Sequence, residues 1–323
     1  QPYWSPDSKK LAFVDKAMVI QIYELDRERT VRVDKGLWMT HGALIGFKPS
    51  WSHDSKWLAY SRGLENRHGA IYLFDTEENE RHQLTSGFYD DNQPVFDPDG
   101  KYLYYLTNRH FSPEYSDVDQ SFIYPNTTQI VAVSLREDVP SPLAPKNDTV
   151  AVKKNEDSGK KKQEENGDEE ESEEEALEID LENFESRAVL LPAKPGNYYN
   201  TAAVPGKVVY LRVPRTGSGE SGNDIVYFDL EAREEQTVME DVSGFVLSAD
   251  DKKLLVSKGN AFTIVDLAPG QSMEKPLRTS ELEMVVDPRP EWRQIFMDAW
   301  RLQRDYFYDP NLHGVDWEAM RDR

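Results

Sequence analysis

Apolar and polar residues alternate in short runs along most of the chain. Leu11-Ala12-Phe13, Leu58-Ala59-Tyr60 and Leu103-Tyr104-Tyr105 each open such a run. Each is followed by another: MVIQIYEL from Met18, AIYLFDT from Ala70 and QIVAVSL from Gln129. DIVYFDL from Asp224 and FTIVDL from Phe262 continue the series. A period of two puts successive side chains on opposite faces, so these runs predict β-strands. In three places a more polar run comes next, TVRVD, RHQLT and EQTVM, and reads as an outer strand.

One phrase recurs ahead of these runs. PYWSPDSKKLAF begins at Pro2, PSWSHDSKWLAY at Pro49 and PVFDPDGKYLYY at Pro94. Weaker copies are GFVLSADDKKLLV from Gly244 and AAVPGKVVYL from Ala202. An aromatic closes one strand, a Pro-Asp turn reverses the chain, and an alternating strand returns. Four antiparallel strands per unit, repeating at about 45 residues, predict the blades of a β-propeller. Five blades are expected, at roughly 1–46, 47–91, 92–143, 179–241 and 242–284. Five units of a six- or seven-bladed WD40/TolB-like ring would leave an open wedge, so further blades are expected upstream of Gln1.

Residues 146–178 break the pattern. From Val150 to Glu178 there are twelve acids against five lysines and almost nothing apolar. Such a segment cannot offset its ordering entropy by burial, and a disordered insertion between the third and fourth blades is expected.

The pattern changes again at residue 287. Asp287-Pro288-Arg289-Pro290 is a helix-start signal. Trp292, Ile295, Phe296, Ala299, Trp300, Gln303, Tyr306 and Phe307 then recur at three- and four-residue steps. This predicts an amphipathic helix with a heavily aromatic face, followed by a second helix near Asp316. A propeller's outer strands are a poor partner for that face. The expected domains are therefore blades over 1–286 and, over 287–323, the first helices of an α+β domain continuing past Arg323.

Composition narrows the function. The formal net charge is −21, which repels phosphate backbones and makes nucleic acid an unexpected partner. With no cysteine there is no disulfide and no thiolate metal site. No apolar run is long enough to span a membrane. The six histidines are not spaced as metal pairs, and no metal or cofactor is expected. Gly217 to Gly222 spells G-x-G-x-x-G, but strands flank it on both sides, so it reads as a hairpin loop. Neither G-x-S-x-G nor H-E-x-x-H occurs, and no catalytic residue is assigned within the chain.

The helix EWRQIF-DAWRLQRDYFYDPN-HGVDWEA resembles the opening of the first catalytic subdomain of the tricorn protease family. WSHDSKWLAYSR, GFYDDNQPVFDPDGKYLYYLTNRHFSPEYSDVD and EIDLENFESRAVLLPAKPGNYYN resemble its second propeller. The resemblance implies a segment of a large serine peptidase that trims oligopeptides downstream of proteasome-like proteases. This segment would gate substrate and scaffold the enzyme, with the catalytic Ser, His and Glu beyond Arg323. It also implies oligopeptide substrates, an upstream propeller, the rest of the catalytic domain, and a homo-oligomer in the full-length protein. The cytoplasm is the expected compartment, with the periplasm as the alternative. Two other readings are a TolB-like propeller acting as a binding scaffold, and the propeller of a prolyl-oligopeptidase-type enzyme. The terminal helix argues against both.

For a peptide-handling propeller, Arg62, Arg67 and Arg109 are the candidate substrate-binding residues. Each closely follows a blade strand in a loop at one rim, and a guanidinium grips a peptide carboxylate in a bidentate way. The competing reading pairs them with nearby Asp90, Asp91 or Glu65. Tyr89-Asp90-Asp91-Asn92 is read as a blade-to-blade turn.

Overall fold

The computed structural model describes residues 2–37, 47–145 and 176–322. The described residues form the blades of a β-propeller followed by two helices. The first blade runs from its inner strand Tyr3–Trp4 through Lys10–Val14 and Val19–Glu24 to Arg29–Lys35. The second comprises Ser50–Trp51, Trp57–Gly63, Gly69–Asp75 and Glu80–Gln83. The fourth comprises Asn197–Val204, Lys207–Val213, Asn223–Asp229 and Glu234–Val242. The fifth has three strands, Gly244–Leu247, Lys253–Lys258 and Ala261–Asp266. All pairings are antiparallel, and the first strands of successive blades touch from the second blade to the fifth.

The third blade departs from the sequence reading. Its strands Asp91–Phe96, Tyr102–Thr107 and Gln129–Ser134 are completed by Ala188–Leu190, which pairs Val131 with Leu190 and Val133 with Ala188. The acidic insertion therefore interrupts the third blade instead of separating it from the fourth. Its expected disorder concerns residues 146–175, which lie outside the described residues. Leu177, just inside the expected insertion, packs on the core between the second and third blades together with Ile179 and Leu181 beyond it. A hairpin, Glu114–Ser116 with Ser121–Ile123, leaves the same blade between its second and third strands.

The core lies in the layers between blades. Leu58 and Tyr60 pack against Ala12, Ile20 and Ile22 of the first blade. Ala59, between them, packs with Leu103 and Tyr105 of the third. Tyr104 and Leu106 face Val208 and Tyr210 of the fourth, while Val209 and Leu211 face the fifth. Each fully buried Leu, Ile or Val among these contributes about 1.5–3 kcal/mol.

Four copies of the repeated phrase fold into the same turn. Ser8, Ser55, Gly100 and Asp251 all adopt left-handed φ and donate their N–H to the carbonyl three residues back. In three copies a serine starts the turn. Ser5, Ser52 and Ser248 each donate a hydroxyl to the Asp two residues on, and accept the N–H five residues on. The third blade has Asp97 at this place, 2 % exposed, with Asp99 where the other acids stand. Burial, and then repulsion from Asp99, push the Asp97 carboxyl up to about 6.

The helix Pro288–Tyr306 starts at Asp287, whose side chain accepts from the Arg289 N–H. Trp317–Arg321 is capped likewise by Asp316. The two helices are joined by reciprocal bonds: the Trp300 indole N–H donates to the Trp317 carbonyl (2.8 Å), and Trp317 donates back to Trp300 (3.1 Å). Their rings lie 11° from parallel, and Arg304 and Arg321 cover Trp300. Trp292, Ile295, Phe296, Leu302 and Tyr306 remain exposed. Lys16 of the first blade pairs with Asp305 at 2.9 Å.

The folded state holds the Asp97 proton more tightly than the unfolded chain, whose value is near 3.8. Its contribution to stability is therefore greatest below about pH 4 and declines as pH rises through about 6. By pH 7 the loss is about 3 kcal/mol. Asp97→Ser should stabilise the protein at pH 7 and change it little at pH 4, as measured by urea unfolding at both values.

Candidate functional site

The three candidate arginines are not gathered around one point. Arg62 lies within the second strand of its blade, one residue before its end and not in the expected loop, and turns into the junction with the first blade. There its Nη1 lies 3.6 Å from Asp34 Oδ2, and its guanidinium lies 5.7 Å from the Tyr72 ring centre. Asp34, 5 % exposed, also accepts from the Tyr60 hydroxyl (3.0 Å) and from Arg81. The fourth blade holds the same tyrosine–arginine pair against an acid of its own outer strand instead of its neighbour's. Tyr210 and Arg212 both donate to Glu235 of its outer strand. Tyr-x-Arg on a second strand is thus a carboxylate clamp built into the blade.

Arg109 occupies the junction between the second and third blades. It donates to Thr107 Oγ1 (3.0 Å), the Tyr105 hydroxyl (3.3 Å) and Glu185 Oε1 (3.4 Å), and lies 3.8 Å from Asp91 Oδ2. Tyr89 covers it at 4.6 Å. Asp91 is 1 % exposed, and burial raises its carboxyl above the ordinary range despite the Thr107 hydroxyl and Arg109. Glu185 is held in turn by the Ser86 N–H at 2.9 Å. Arg67 is different. It is exposed, with left-handed φ, in the turn that bonds its N–H to the Leu64 carbonyl.

The segment from Tyr89 to Asn92 is a blade-to-blade turn that ends in a strand. Asp90 Oδ1 accepts the Gly69 N–H at 2.7 Å, and Asn108 donates to the Asp90 carbonyl. A Cβ at Gly69 would meet the Asp91 carbonyl oxygen at 2.4 Å, so this approach requires glycine. Gly217 to Gly222 joins two strands and borders a cleft of about 480 Å³. Arg212 of that cleft is taken by Glu235, and Arg215 donates to the Pro195 carbonyl. His313 donates its backbone N–H to Asp309 in the turn between the helices.

Sequence reasoning passed over the axis. In the third and fourth blades the inner strand bulges opposite Tyr105 and Tyr210. Gln93 and Asn200 there adopt φ of 50° and 56°. A bulge re-aims side chains, and here it sets an amide from each blade where the inner strands meet. Gln93 Oε1 accepts from the N–H (3.3 Å) and hydroxyl (3.2 Å) of Thr201. The only sequence signal was a polar residue directly before the proline of the phrase, Lys48-Pro49 and Gln93-Pro94. Among the described residues no His, Asp and Glu group could hold a metal, and no helix is long and apolar enough to cross a membrane.

Comparison with known proteins now bears on this fold. The family model of the tricorn protease second beta propeller domain matches residues 1–268, and that of the tricorn protease C1 domain matches residues 288–323. The chain belongs to the tricorn protease family. A putative tricorn-like protease C-terminal subunit of Sulfurisphaera tokodaii is 24% identical over 98% of the chain and 34% of its own length. Tricorn protease homolog 1 of Streptomyces coelicolor is 24% identical over 99% of the chain and 30% of its own. The crystal structure of the tricorn protease superposes with a TM-score of 0.74 at 20% identity, over 99% of the chain and 30% of that structure. The chain thus spans about a third of the length of the tricorn relatives it matches, covering the second propeller and the start of the catalytic region.

Removing Arg109 would leave Asp91 buried without its nearest cation. Arg109→Met should destabilise the protein by about 2–4 kcal/mol in urea unfolding at pH 7. The loss should shrink when Asp91→Asn is added, because no charge is then stranded.

Proposed function

We propose that this chain is the substrate-admitting propeller and opening helices of a tricorn-type serine peptidase acting on oligopeptides downstream of proteasome-like proteases. The observation that carries the reading is the aromatic face of Pro288–Tyr306. Trp292, Ile295, Phe296 and Tyr306 stand exposed on the helix where the catalytic-region match begins. A face of that size needs further polypeptide to cover it. The outer faces of the first and fifth blades support the same reading. Trp4 is exposed on one, and Val246, Leu255 and Ile264 stand in register across the other. Neighbouring blades of a closed ring would cover both.

On this reading residues 1–286 admit and orient substrate, and residues 287–323 begin the catalytic domain. Chemistry is acyl transfer by a serine, with a histidine moving the proton and backbone N–H groups holding the oxyanion, all outside this chain. Arg67, the exposed member of the three candidates, contributes to the rim, whereas Arg62 joins the first and second blades and Arg109 is taken by acids of its own blade. The whole enzyme works as a homo-oligomer in the cytoplasm.

The whole polypeptide should hydrolyse fluorogenic oligopeptides and lose that activity to a serine-directed phosphonate. Residues 1–323 alone should leave the same peptides intact by mass spectrometry. Cleavage by residues 1–323, or a whole enzyme indifferent to the phosphonate, would overturn the proposal.

A further inference from the structure

Lys48 precedes the inner strand of the second blade and is half-buried. Its ammonium donates to Asn200 Oδ1 at 2.6 Å, across 152 positions of sequence. The two residues belong to the second and fourth blades, which are not neighbours. Lys48 therefore reaches in front of the third blade's inner strand, into the space where the blades converge. Asn200 is fixed for this contact, since its Nδ2 donates to the Phe245 carbonyl of the fifth blade at 3.0 Å. A cavity of about 200 Å³ lies here, bordered by Lys48, Ser50, Gln93, Thr201 and Leu247 from four blades.

No Asp or Glu among the described residues borders this cavity. No carboxylate among the described residues pairs with Lys48, and the nine residues preceding Phe47 contain none. This contrasts with Arg62, Arg109 and Arg212, each of which faces an acid. Desolvation holds the Lys48 ammonium below the ordinary lysine range. A partly desolvated cation that meets a neutral amide and no acid among the described residues has an unfilled preference for an anion. Beside it, Gln93 uses its amide oxygen for Thr201 and leaves its NH₂ without a partner among the described residues.

We propose that Lys48, with the Gln93 amide, forms a carboxylate-binding site on the propeller axis that takes the C-terminus of an extended oligopeptide. It rests on the reading of the chain as a peptide-admitting propeller. The rest of the chain repels anions, since its net charge is −21. A carboxylate is therefore held only where the ammonium and amide act at contact distance. A free C-terminus carries that charge at the end of a slim chain that can enter the axis, whereas an Asp or Glu side chain carries it beside the backbone.

The test is calorimetric titration of the chain with tetra-alanine as the free acid, tetra-alanine amide, and acetate. The free acid should bind about tenfold tighter than the amide, and Lys48→Met should remove that difference. Lys48→Arg should restore part of it. Acetate should compete weakly, through the same lysine. In wild-type protein the Lys48 Nζ resonance should shift with the free acid and stay in place with the amide, a readout that needs no variant to fold. Equal binding of acid and amide, or a preference indifferent to Lys48→Met, overturns the axial site while leaving peptide admission standing. Binding of neither peptide overturns both.

Discussion

A strand such as Trp57–Gly63 turns Leu58 and Tyr60 towards one neighbouring blade and Ala59 towards the other. Tyr102–Thr107 and Lys207–Val213 do the same. The alternation that makes a strand thus gives every central blade two apolar faces, and no blade can bury both alone. Stability is shared between neighbours, as in other repeat architectures. The exposed faces at the first and fifth blades follow from the same constraint. The aromatic helix at the other end of the chain poses the same problem in helical form. Trp300 solves it locally by docking on Trp317, and the rest of that face does not.

Because the layers between blades are apolar, each charge inside one has to be met. Asp34, Asp91 and Glu235 show three versions of one solution: a carboxylate from one strand, a tyrosine or threonine hydroxyl, and an arginine. Such clusters add little net stability relative to apolar packing. The Asp34 cluster alone of the three joins a carboxylate of one blade to Tyr60, Arg62 and Arg81 of the next, so a displacement of the second blade along the first would strand that charge. It therefore acts on register, which alternation alone does not fix, since a two-residue slip restores the apolar pattern.

The parts of the fold written locally were legible. A turn phrase followed by an alternating strand marks each blade, and apolar steps of three and four mark the helix. What depended on distance was not. Ala188–Leu190 is three residues long and joins its blade from beyond the acidic insertion, so nothing near it in sequence assigns it to Gln129–Ser134. Arg62, expected in a loop, lies inside the strand Trp57–Gly63, whereas Arg67 and Arg109 follow second strands. Whether such a side chain turns outward or into a junction depends on partners such as Asp34 and Glu185, which lie 28 and 76 positions away. Only in hindsight does the spacing Tyr60-x-Arg62 and Tyr210-x-Arg212 mark a clamp.

The axis was the least legible part, for the same reason. Lys48 stands in an irregular segment before a proline, with no periodicity to give it a direction. Its position depends on the bulge that presents Asn200, on the bond from Asn200 to Phe245, and on the curvature that brings second, fourth and fifth blades together. Three blades therefore determine one ammonium. That convergence also separates it from the surface lysines, whose positive charge bulk water already satisfies. In a chain this acidic, the inter-blade arginines described above have acids facing them. Lys48 is partly desolvated and, among the described residues, meets an amide oxygen and no acid, so its position differs from theirs in charge balance as well as in the number of blades that set it.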